Sequence, residues 1–241
     1  MNLIIDIGNT AAKIVAFQEE EPKYEMVTSN ETLEGLADFL QQHPCEKGIV
    51  SSVIQLSEVV EQVLCALSIP LLRLNYTTPL PIQNQYRTPQ TLGSDRLAAV
   101  VGAVNRCPGR ELLIIDAGTC ITYEFVDATG CYQGGNIAPG VWMRLHVLHD
   151  RTSKLPLISP EGDCPCMGYD TESAIRSGVM RGIRFEIEGY IRQFREKYPR
   201  LLVFLTGGDG FDFDSRIKSI IFADKYLVPR GLNCILEYND K

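Results

Sequence analysis

Two short segments of the chain place a carboxylate and a glycine directly after an apolar run. Asp6-Ile7-Gly8 follows Leu3-Ile4-Ile5, and Asp116-Ala117-Gly118 follows Leu113-Ile114-Ile115. A glycine at this place lets backbone amides approach a phosphate closely, and the carboxylate can hold a hydrated Mg²⁺. Turns also favour Asp and Gly for conformational reasons alone, but two copies at equivalent places make that alternative weaker. We therefore expect two loops that clamp a phosphate-bearing ligand.

A third segment, Gly93-Ser94-Asp95-Arg96, allows two interpretations. Ser and Asp are favoured helix N-caps, and a helical pattern follows from Leu97 to Asn105. Alternatively, the Asp95 carboxylate accepts or orients a substrate hydroxyl, and Arg96 binds a substrate carboxylate through its planar fork. The pattern is compatible with both. A fourth segment, Thr206-Gly207-Gly208, follows the apolar run 201–205 and is either a nucleotide-contacting loop or an ordinary turn.

The overall charge bears on the choice of partner. The 241 residues include 23 Lys and Arg against 30 Asp and Glu, which gives a formal charge of −7. Nucleic acids and anionic membranes require a basic face, so we expect neither as a partner. The sequence shows no signal peptide pattern and no long apolar run, which predicts a cytoplasmic location. The eight cysteines are then expected to be reduced thiols.

Strands and helices must carry these segments. We predict strands at 2–7, 11–18 and 24–29, a helix at about 31–42 capped by Asn30 or Thr32, and another helix from Gly93. The pattern restarts with strands at 111–116 and 120–127, and a long helix follows at about 170–197. Because Leu-Ile-Ile-Asp occurs in both parts, we expect two similar halves around a cleft. A dinucleotide-binding Gly-x-Gly-x-x-Gly after the first strand and a Walker A lysine are both missing.

The order of the motifs resembles that of one enzyme family. The first loop, 6–10, is followed by Tyr86-Arg87-Thr88-Pro89-Gln90-Thr91-Leu92-Gly93-Ser94-Asp95-Arg96 and then by the second loop, 116–119. Gly134-Gly135-Asn136-Ile137-Ala138-Pro139-Gly140, the segment 171–178 and Thr206-Gly207-Gly208 complete the series. Together they resemble the type III pantothenate kinases, bacterial enzymes that begin coenzyme A synthesis. The two loops alone would indicate only the wider superfamily of acetate kinase, sugar kinases, Hsp70 and actin.

This resemblance, which spans nearly the whole chain, implies a fold and an activity. The implied fold is α/β, with two duplicated ribonuclease H-like domains, as in the actin-like ATPases, around an interdomain cleft. The half 1–110 would carry the first phosphate loop and the start of the pantothenate site, and the half 111–241 the second phosphate loop and the nucleotide-base loop. The implied reaction is ATP-dependent phosphorylation of pantothenate to 4'-phosphopantothenate, in a homodimer with a shared active site.

The resemblance also implies roles for individual residues. The ATP-binding residues would be Asp6, Ile7, Gly8, Asn9, Thr10, Ala11, Ala12, Lys13 and Thr119. The pantothenate-binding residues would be Tyr86, Gly93, Ser94, Asp95, Arg96 and, from the neighbouring subunit, Thr171. Asp95 is the implied base, Asp6 would bind Mg²⁺ directly or through water, and Asp116 would bind a monovalent cation, K⁺ or NH₄⁺. Two residues depart from the family pattern, which usually has Asn at Thr88 and Ala or Ser at Cys120.

Two other functions stay open at the level of sequence. A different kinase or phosphatase of the same superfamily would act on another hydroxyl or carboxylate. A non-catalytic regulator would keep the fold and bind a nucleotide or a partner protein. A pure binding protein has no need to keep Asp6, Asp95, Arg96 and Asp116 together, so the sequence favours an enzyme.

Overall fold

The chain folds into two compact units. The structure, a computed structural model, describes residues 1–207 and 221–240. Unit 1 comprises Met1–Arg110, Val126–Gly134 and Asp224–Lys241, and unit 2 comprises Glu111–Phe125 and Gly135–Ala223. These units differ from the halves of the sequence repeat, 1–110 and 111–241, because the C-terminal segment and a short hairpin segment pack within unit 1. No helix of the described residues is long and apolar enough to cross a membrane.

Unit 1 is built on a five-stranded sheet with the order β3-β2-β1-β4-β5. Its strands are β1 (Asn2–Ile7), β2 (Ala12–Gln18), β3 (Glu21–Thr28), β4 (Lys47–Ser52) and β5 (Leu71–Arg73). β1 pairs antiparallel with β2 and parallel with β4, so that Asp6 lies opposite Lys13 on one side and Ser51 on the other. The sheet therefore delivers three polar side chains to the carboxyl end of its central strand.

Helices cover the sheet of unit 1. They are α1 (Leu36–Gln42), α2 (Glu58–Cys65), α3 (Ser94–Arg106) and α6 (Leu227–Asn239). Apolar side chains of β1, β2, α1 and α2 form one core, which includes Ile5, Ile14 and Leu36. The short strand β6 (Gln83–Asn84) pairs with the beginning of β9 (Cys131–Pro139).

The predicted helix at 31–42 is shorter than the sequence suggested. α1 begins at Leu36, and the residue before it, Gly35, has a φ of +82°. A left-handed residue at this position prevents the helix from extending towards its N-terminus. The predicted cap was also wrong, because the side chain of Asn30 binds the backbone of the first loop instead of a helix end. Thr32 likewise precedes a turn and does not cap the helix.

α3 and α6 pack closely through two glycines. A Cβ atom at Gly231 would overlap the carbonyl oxygen of Ala98, and one at Gly102 would overlap that of Leu227. The absence of both side chains lets the two helix backbones approach each other. This contact attaches the C-terminal helix to the helix that begins with Ser94 and Asp95.

We expect Gly231→Ala to destabilise the protein by about 1–3 kcal/mol, because the added methyl group has no space between α3 and α6. Gly189→Ala is the matched control: Gly189 lies in a helix and a Cβ there would meet nothing within 4 Å. That substitution should stabilise by up to about 1 kcal/mol, since alanine is the better helix former. Thermal or urea unfolding measures both changes. Equal effects of the two substitutions would contradict the close packing of α3 on α6.

Unit 2 contains most of a second sheet, whose full strand order is β11-β10-β7-β8-β9-β6. Its strands are β7 (Leu112–Ala117), β8 (Cys120–Val126), β9, β10 (Leu202–Thr206) and β11 (Ile221–Ala223), with helices α4 (Val141–Asp150) and α5 (Thr171–Lys197). β10 lies parallel to β7, and Thr206 lies opposite Asp116. Ile183, Ile187 and Ile191 of α5 contribute to the core of this unit. The predicted strands at 111–116 and 120–127 and the predicted long helix are confirmed.

Candidate active site

The first Asp-x-Gly loop is held in a defined shape by two contacts within unit 1. The amide of Gly8 donates to the carbonyl oxygen of Ala11 at 3.0 Å and closes the turn between β1 and β2. The side-chain amide of Asn30 donates to the carbonyl oxygens of Gly8 and Asn9, both at 3.0 Å. Asn9 and Thr10, at the tip, are exposed to solvent. The backbone of the loop is thus held by hydrogen bonds from Asn30, a residue that lies outside the sequence motifs.

Asp6 stands at the end of β1 in an unfavourable environment for a negative charge. Burial, followed by the nearby negative charge of Asp95, raises the pKa of Asp6 from 3.8 to about 7. The positive charge of Lys13 and a hydrogen bond with Ser51 act in the opposite direction but do not cancel the rise. The two predicted carboxylates therefore lie close together in unit 1, and their combined negative charge suits a bound cation.

Lys13 is the cation that unit 1 itself supplies near Asp6. Its Nζ donates to the carbonyl oxygen of Lys225 at 2.8 Å and lies 4.9 Å from the centre of the Tyr226 ring. Burial lowers the pKa of Lys13, and the carboxylates of Glu25 and Asp6 partly restore it. The C-terminal segment of unit 1 thereby fixes the ammonium group on the strand next to β1.

The start of α3 bears on the N-cap interpretation of Gly93-Ser94-Asp95-Arg96. The N-cap residue is Gly93, and no side chain caps the helix. The Oγ of Ser94 instead lies 2.8 Å from that of Ser51 and 3.1 Å from the carbonyl oxygen of Ser52. The Asp95 carboxylate accepts the amide of Arg96 at 2.7 Å, within the first turn. The simple N-cap explanation is therefore wrong for Ser94 and Asp95, whose side chains are directed to the site around Asp6.

A Cβ atom at Gly93 would lie 2.5 Å from a carboxylate oxygen of Asp95. A side chain at this position would push that carboxylate away from its place in the first turn. Gly93 thus leaves room for the Asp95 carboxylate in the first turn of α3.

Arg96 lies between two tyrosines in the same unit. Its side chain is buried, with 5% exposed, and a guanidinium nitrogen donates to the hydroxyl of Tyr132 at 3.2 Å. The guanidinium carbon lies 5.4 Å from the ring centre of Tyr86. The rings of Tyr86 and Tyr132 are nearly parallel, with centres 6.1 Å apart. The structure thus brings together Tyr86 and Arg96, two predicted substrate-binding residues. It adds Tyr132, which lies two residues before Gly134 and belongs to none of the sequence motifs.

The second Asp-x-Gly loop, in unit 2, has the same kind of turn. The amide of Gly118 donates to the carbonyl oxygen of Cys120 at 3.1 Å. The amide of Gly140 donates to the carbonyl oxygen of Thr119, also at 3.1 Å. Neither loop glycine, Gly8 or Gly118, directs its own amide to a ligand, because each amide closes its turn.

Gly207 lies directly beside the second loop. Its φ is +112°, and a Cβ there would overlap the backbone of Ala117. Thr206 pairs with Asp116 in the sheet, so the loop after β10 and the loop after β7 lie at one edge of unit 2. Gly208, the third residue of the predicted nucleotide-base loop, lies outside the described residues.

Thr171 is placed by a well-formed helix start. Asp170 caps α5 by accepting the amide of Ser173 at 2.8 Å, and the Ser173 hydroxyl accepts the amide of Asp170. This reciprocal capping box fixes the first turn of the helix. Thr171, the first helical residue, is exposed on unit 2.

Among the residues described in the structure, no three or more His, Cys, Asp or Glu side chains lie close enough together to hold a metal ion. Mg²⁺ in phosphate-transferring enzymes is commonly bound by one or two carboxylates together with water and substrate phosphates. The pair of Asp6 and Asp95 fits that mode, since burial and mutual repulsion leave a negative site that a cation would neutralise. All eight cysteines are free thiols.

Comparison with known proteins agrees with the motif order. The family described as type III pantothenate kinase matches residues 2–193. A type III pantothenate kinase of Bacteroides fragilis is 55% identical over 240 residues, covering 100% of this chain and 99% of the relative. One from Phocaeicola vulgatus is 52% identical, with both chains covered completely at 100%. A solved structure of a Campylobacter jejuni protein assigned to the Baf family of transcriptional activators matches with a TM-score of 0.64 at 21% identity, over 98% of each chain.

The structural match, at this low identity, concerns the fold only. The sequence relatives carry the family assignment, because they match this chain over its full length at 52–55% identity. The chain therefore belongs to the type III pantothenate kinase family.

Proposed function

We propose that this protein transfers the γ-phosphoryl group of ATP to the primary hydroxyl of pantothenate, the first step of coenzyme A synthesis. The family and the names of its relatives support this reaction. The observation that carries the proposal is the site in unit 1, where Lys13 and Asp95 both lie within electrostatic range of Asp6. Phosphoryl transfer depends chiefly on positioning and charge neutralisation, which such a set can provide.

Asp95 is the proposed base in this reaction. Its carboxylate lies in the first turn of α3, close to Asp6, and can orient the attacking hydroxyl and accept its proton as the bond to phosphorus forms. Lys13 places a positive charge on the other side of Asp6, where it can bind phosphate oxygens. We propose that Tyr86 and Arg96 form the pantothenate-binding surface with Gly93, Ser94 and Thr171.

The proposal includes two cations. Asp6 would hold Mg²⁺, directly or through water, and the ion would neutralise the oxygens of the transferred phosphoryl group. Asp116, at the end of β7, would bind K⁺ or NH₄⁺ in unit 2, where a cation adds positive charge near a phosphate without a basic side chain. Thr119 and the first loop from Asp6 to Lys13 are the proposed ATP contacts.

We further propose that the two sheets are diverged copies of one ribonuclease H-like unit. The order β3-β2-β1-β4-β5 corresponds strand by strand to β9-β8-β7-β10-β11. The central strands β1 and β7 have the same burial pattern, with the Asp partly buried between fully buried neighbours. In each loop the glycine amide closes the turn after that Asp. Shared strand order, burial and turn chemistry support duplication better than the short sequence repeat alone.

We also propose that the protein is a homodimer joined through α4 and α5 of unit 2. The groove between these helices is lined by apolar side chains including Met143, Val147, Ile175 and Val179. Trp142 and Val147 of α4 are 46% and 52% exposed, and Phe185 of α5 is 58% exposed. Apolar side chains this exposed on adjacent helices are typical of a surface that another chain covers. Thr171 begins α5, beside this surface, as a residue shared between subunits would.

We expect Val147→Glu to produce monomers, because a carboxylate would have to be buried in an apolar interface. Val59→Glu is the matched control, since Val59 is 50% exposed on α2 of unit 1. Light scattering coupled to size exclusion reports the mass, and turnover should fall only in the monomeric variant if Thr171 acts across the interface. A Val147→Glu protein that stays dimeric would place the interface elsewhere.

The proposed reaction is tested by coupled detection of ADP release with pantothenate, in K⁺ and separately in Na⁺. We expect pantothenate-dependent ADP release with K⁺ and a lower rate with Na⁺. Acetate, sugars and polyphosphate in place of pantothenate distinguish other kinases and phosphatases of the superfamily. Absence of pantothenate-dependent release in both salts would overturn the proposal and leave the non-catalytic regulator as the alternative.

A further inference from the structure

Two serine hydroxyl groups connect the end of the central strand to the start of α3. Ser51 lies on β4, opposite Asp6 in the parallel register, and is 0% exposed. Its Oγ lies 2.8 Å from the Oγ of Ser94, and its side chain also hydrogen-bonds the carboxyl group of Asp6. Ser94 in turn donates to the carbonyl oxygen of Ser52 at 3.1 Å. The result is a chain of hydrogen bonds from Asp6 through Ser51 to Ser94.

This chain of hydrogen bonds is part of the folded structure of the site. A hydroxyl group that loses contact with water costs free energy unless it finds partners inside the protein, and Ser51 finds two. A hydroxyl has one proton to donate and lone pairs to accept. When Asp6 is protonated, its carboxyl group can donate to Ser51, Ser51 to Ser94 and Ser94 to the carbonyl oxygen of Ser52. When Asp6 is ionised, Ser51 donates to the carboxylate and Ser94 can donate to Ser51 in place of Ser52.

Through its two partners, Ser51 connects Asp6 to the residue that precedes Asp95. Ser94 is the first residue of α3 and is followed directly by Asp95. No side chain caps this helix, and the contacts of Ser94 with Ser51 and Ser52 tie its first turn to the sheet. One fully buried side chain thus contacts Asp6 on one side and the residue before Asp95 on the other.

We propose that Ser51 is a positioning residue for phosphoryl transfer, whose hydroxyl group fixes the first turn of α3 to the Asp6 carboxylate and so sets the separation between Asp6 and Asp95. This inference rests on the proposed function, in which Asp6 serves the metal side of the reaction and Asp95 the hydroxyl side. Ser51 itself touches neither substrate nor phosphate in this role. It determines whether the two acting carboxylates are correctly spaced.

Ser51→Ala removes one oxygen and leaves the strand and its packing in place. The Asp6 carboxylate and the start of α3 then lose their common partner, although Ser94 keeps its bond to Ser52. A displacement of catalytic groups by about 1 Å can lower a rate by about 100-fold, so we expect kcat to fall between about 10-fold and 100-fold. The KM for pantothenate should change much less, and the Mg²⁺ concentration for half-maximal rate should rise because Asp6 loses a partner.

The experiment compares Ser51→Ala with Ser57→Ala in the full-length protein. Ser57 caps α2 by accepting the amide of Val60, donates to the carbonyl oxygen of Glu31 at 2.9 Å and is exposed to solvent. Ser57→Ala should lower the free energy of unfolding by about 1 kcal/mol and leave kcat unchanged. Rates are divided by the fraction of protein that binds a non-hydrolysable ATP analogue, so that loss of folded protein is not counted as loss of turnover.

A double-mutant cycle supplies a second readout. If Ser51 acts through Ser94, kcat of the Ser51→Ala/Ser94→Ala protein at saturating pantothenate should fall by less than the product of the two single effects. Both substitutions break the contact between Ser51 and Ser94, and only Ser94→Ala also removes the bond to Ser52. Effects that simply multiply would show that the two residues act separately and would overturn the inference. Ser51→Thr, which keeps the hydroxyl group, should recover most of the turnover.

The failure of this inference and that of the proposed function give different results. Unchanged kcat and unchanged Mg²⁺ dependence in Ser51→Ala, with an inactive Asp95→Asn protein, would reject the role of Ser51 alone. Full activity of Asp95→Asn would instead reject the proposed base, on which the role of Ser51 depends.

Discussion

Asp95→Asn is expected to lower turnover by about 100-fold or more, because the amide can still accept a hydrogen bond but cannot take the proton of the attacking hydroxyl. The KM for ATP should remain close to that of the unchanged protein, since the first loop and Lys13 are intact. Steady-state kinetics with saturating pantothenate, together with calorimetric binding of an ATP analogue, measures the two effects separately.

The charge change in Asp95→Asn has a second consequence that serves as a control. The negative charge of Asp95 contributes to the raised pKa of Asp6, so its removal should lower that pKa. The pH below which Mg²⁺ binding is lost should then move down while turnover falls, which separates loss of the base from loss of the metal. Asp38→Asn, an exposed position on α1, controls for the loss of one negative charge. Near-normal turnover in Asp95→Asn would remove Asp95 from the catalytic role.

Asp6→Asn is expected to abolish most activity and at the same time stabilise the protein. The loss of a metal ligand that neutralises the phosphoryl group should cost about 100-fold or more in turnover. The stability gain follows from the pKa of Asp6, which folding raises from 3.8 to about 7. Above pH 7 the folded protein has to keep a buried carboxylate ionised beside Asp95, whereas the neutral amide avoids this cost while keeping nearly the same shape.

The pH dependence of the gain follows from proton linkage. Between pH 3.8 and about 7 the folded state holds a proton on Asp6 that the unfolded state has released, so stability falls as the pH rises through this window. The advantage of Asp6→Asn should therefore be absent below pH 3.8, grow through the window and be complete above about pH 7, where it should exceed about 1 kcal/mol. Urea unfolding without Mg²⁺ at several pH values measures it. A gain in stability that is equal at all pH values would show that ionisation of the Asp6 carboxylate does not destabilise the folded protein.

The sequence predicted the strands that carry both loops, because a short apolar run followed by Asp-x-Gly is typical of a buried strand that ends in a turn. It also predicted the long helix α5, whose apolar residues recur at helical spacing and whose start has a capping box. It failed at α1, where the left-handed backbone of Gly35 outweighs a favourable helical pattern. Helical periodicity could not show this, since a glycine adopts a left-handed backbone at no steric cost and the apolar spacing continues across it.

The site residues that the sequence missed share one property. Asn30, Ser51 and Tyr132 are distant in the chain from the motifs they support, and each acts through two side-chain contacts. Such contacts leave no spacing pattern, because they depend on which strands become neighbours in the sheet. The parallel pairing of β1 with β4 is the step that places Ser51 next to Asp6, and it cannot be inferred from either strand alone.

The position of α6 within unit 1 bears on how the chain folds during synthesis. Unit 2 draws on residues that all precede Asp224, whereas unit 1 needs the C-terminal segment that contains α6. Synthesis on the ribosome therefore supplies every residue of unit 2 before it supplies α6, the last helix of unit 1. During that interval the face of α3 around Gly102, which α6 later covers, stays accessible. The N-terminal unit is thus the last to be completed, and its unfinished apolar surface is a natural target for chaperones that act on nascent chains.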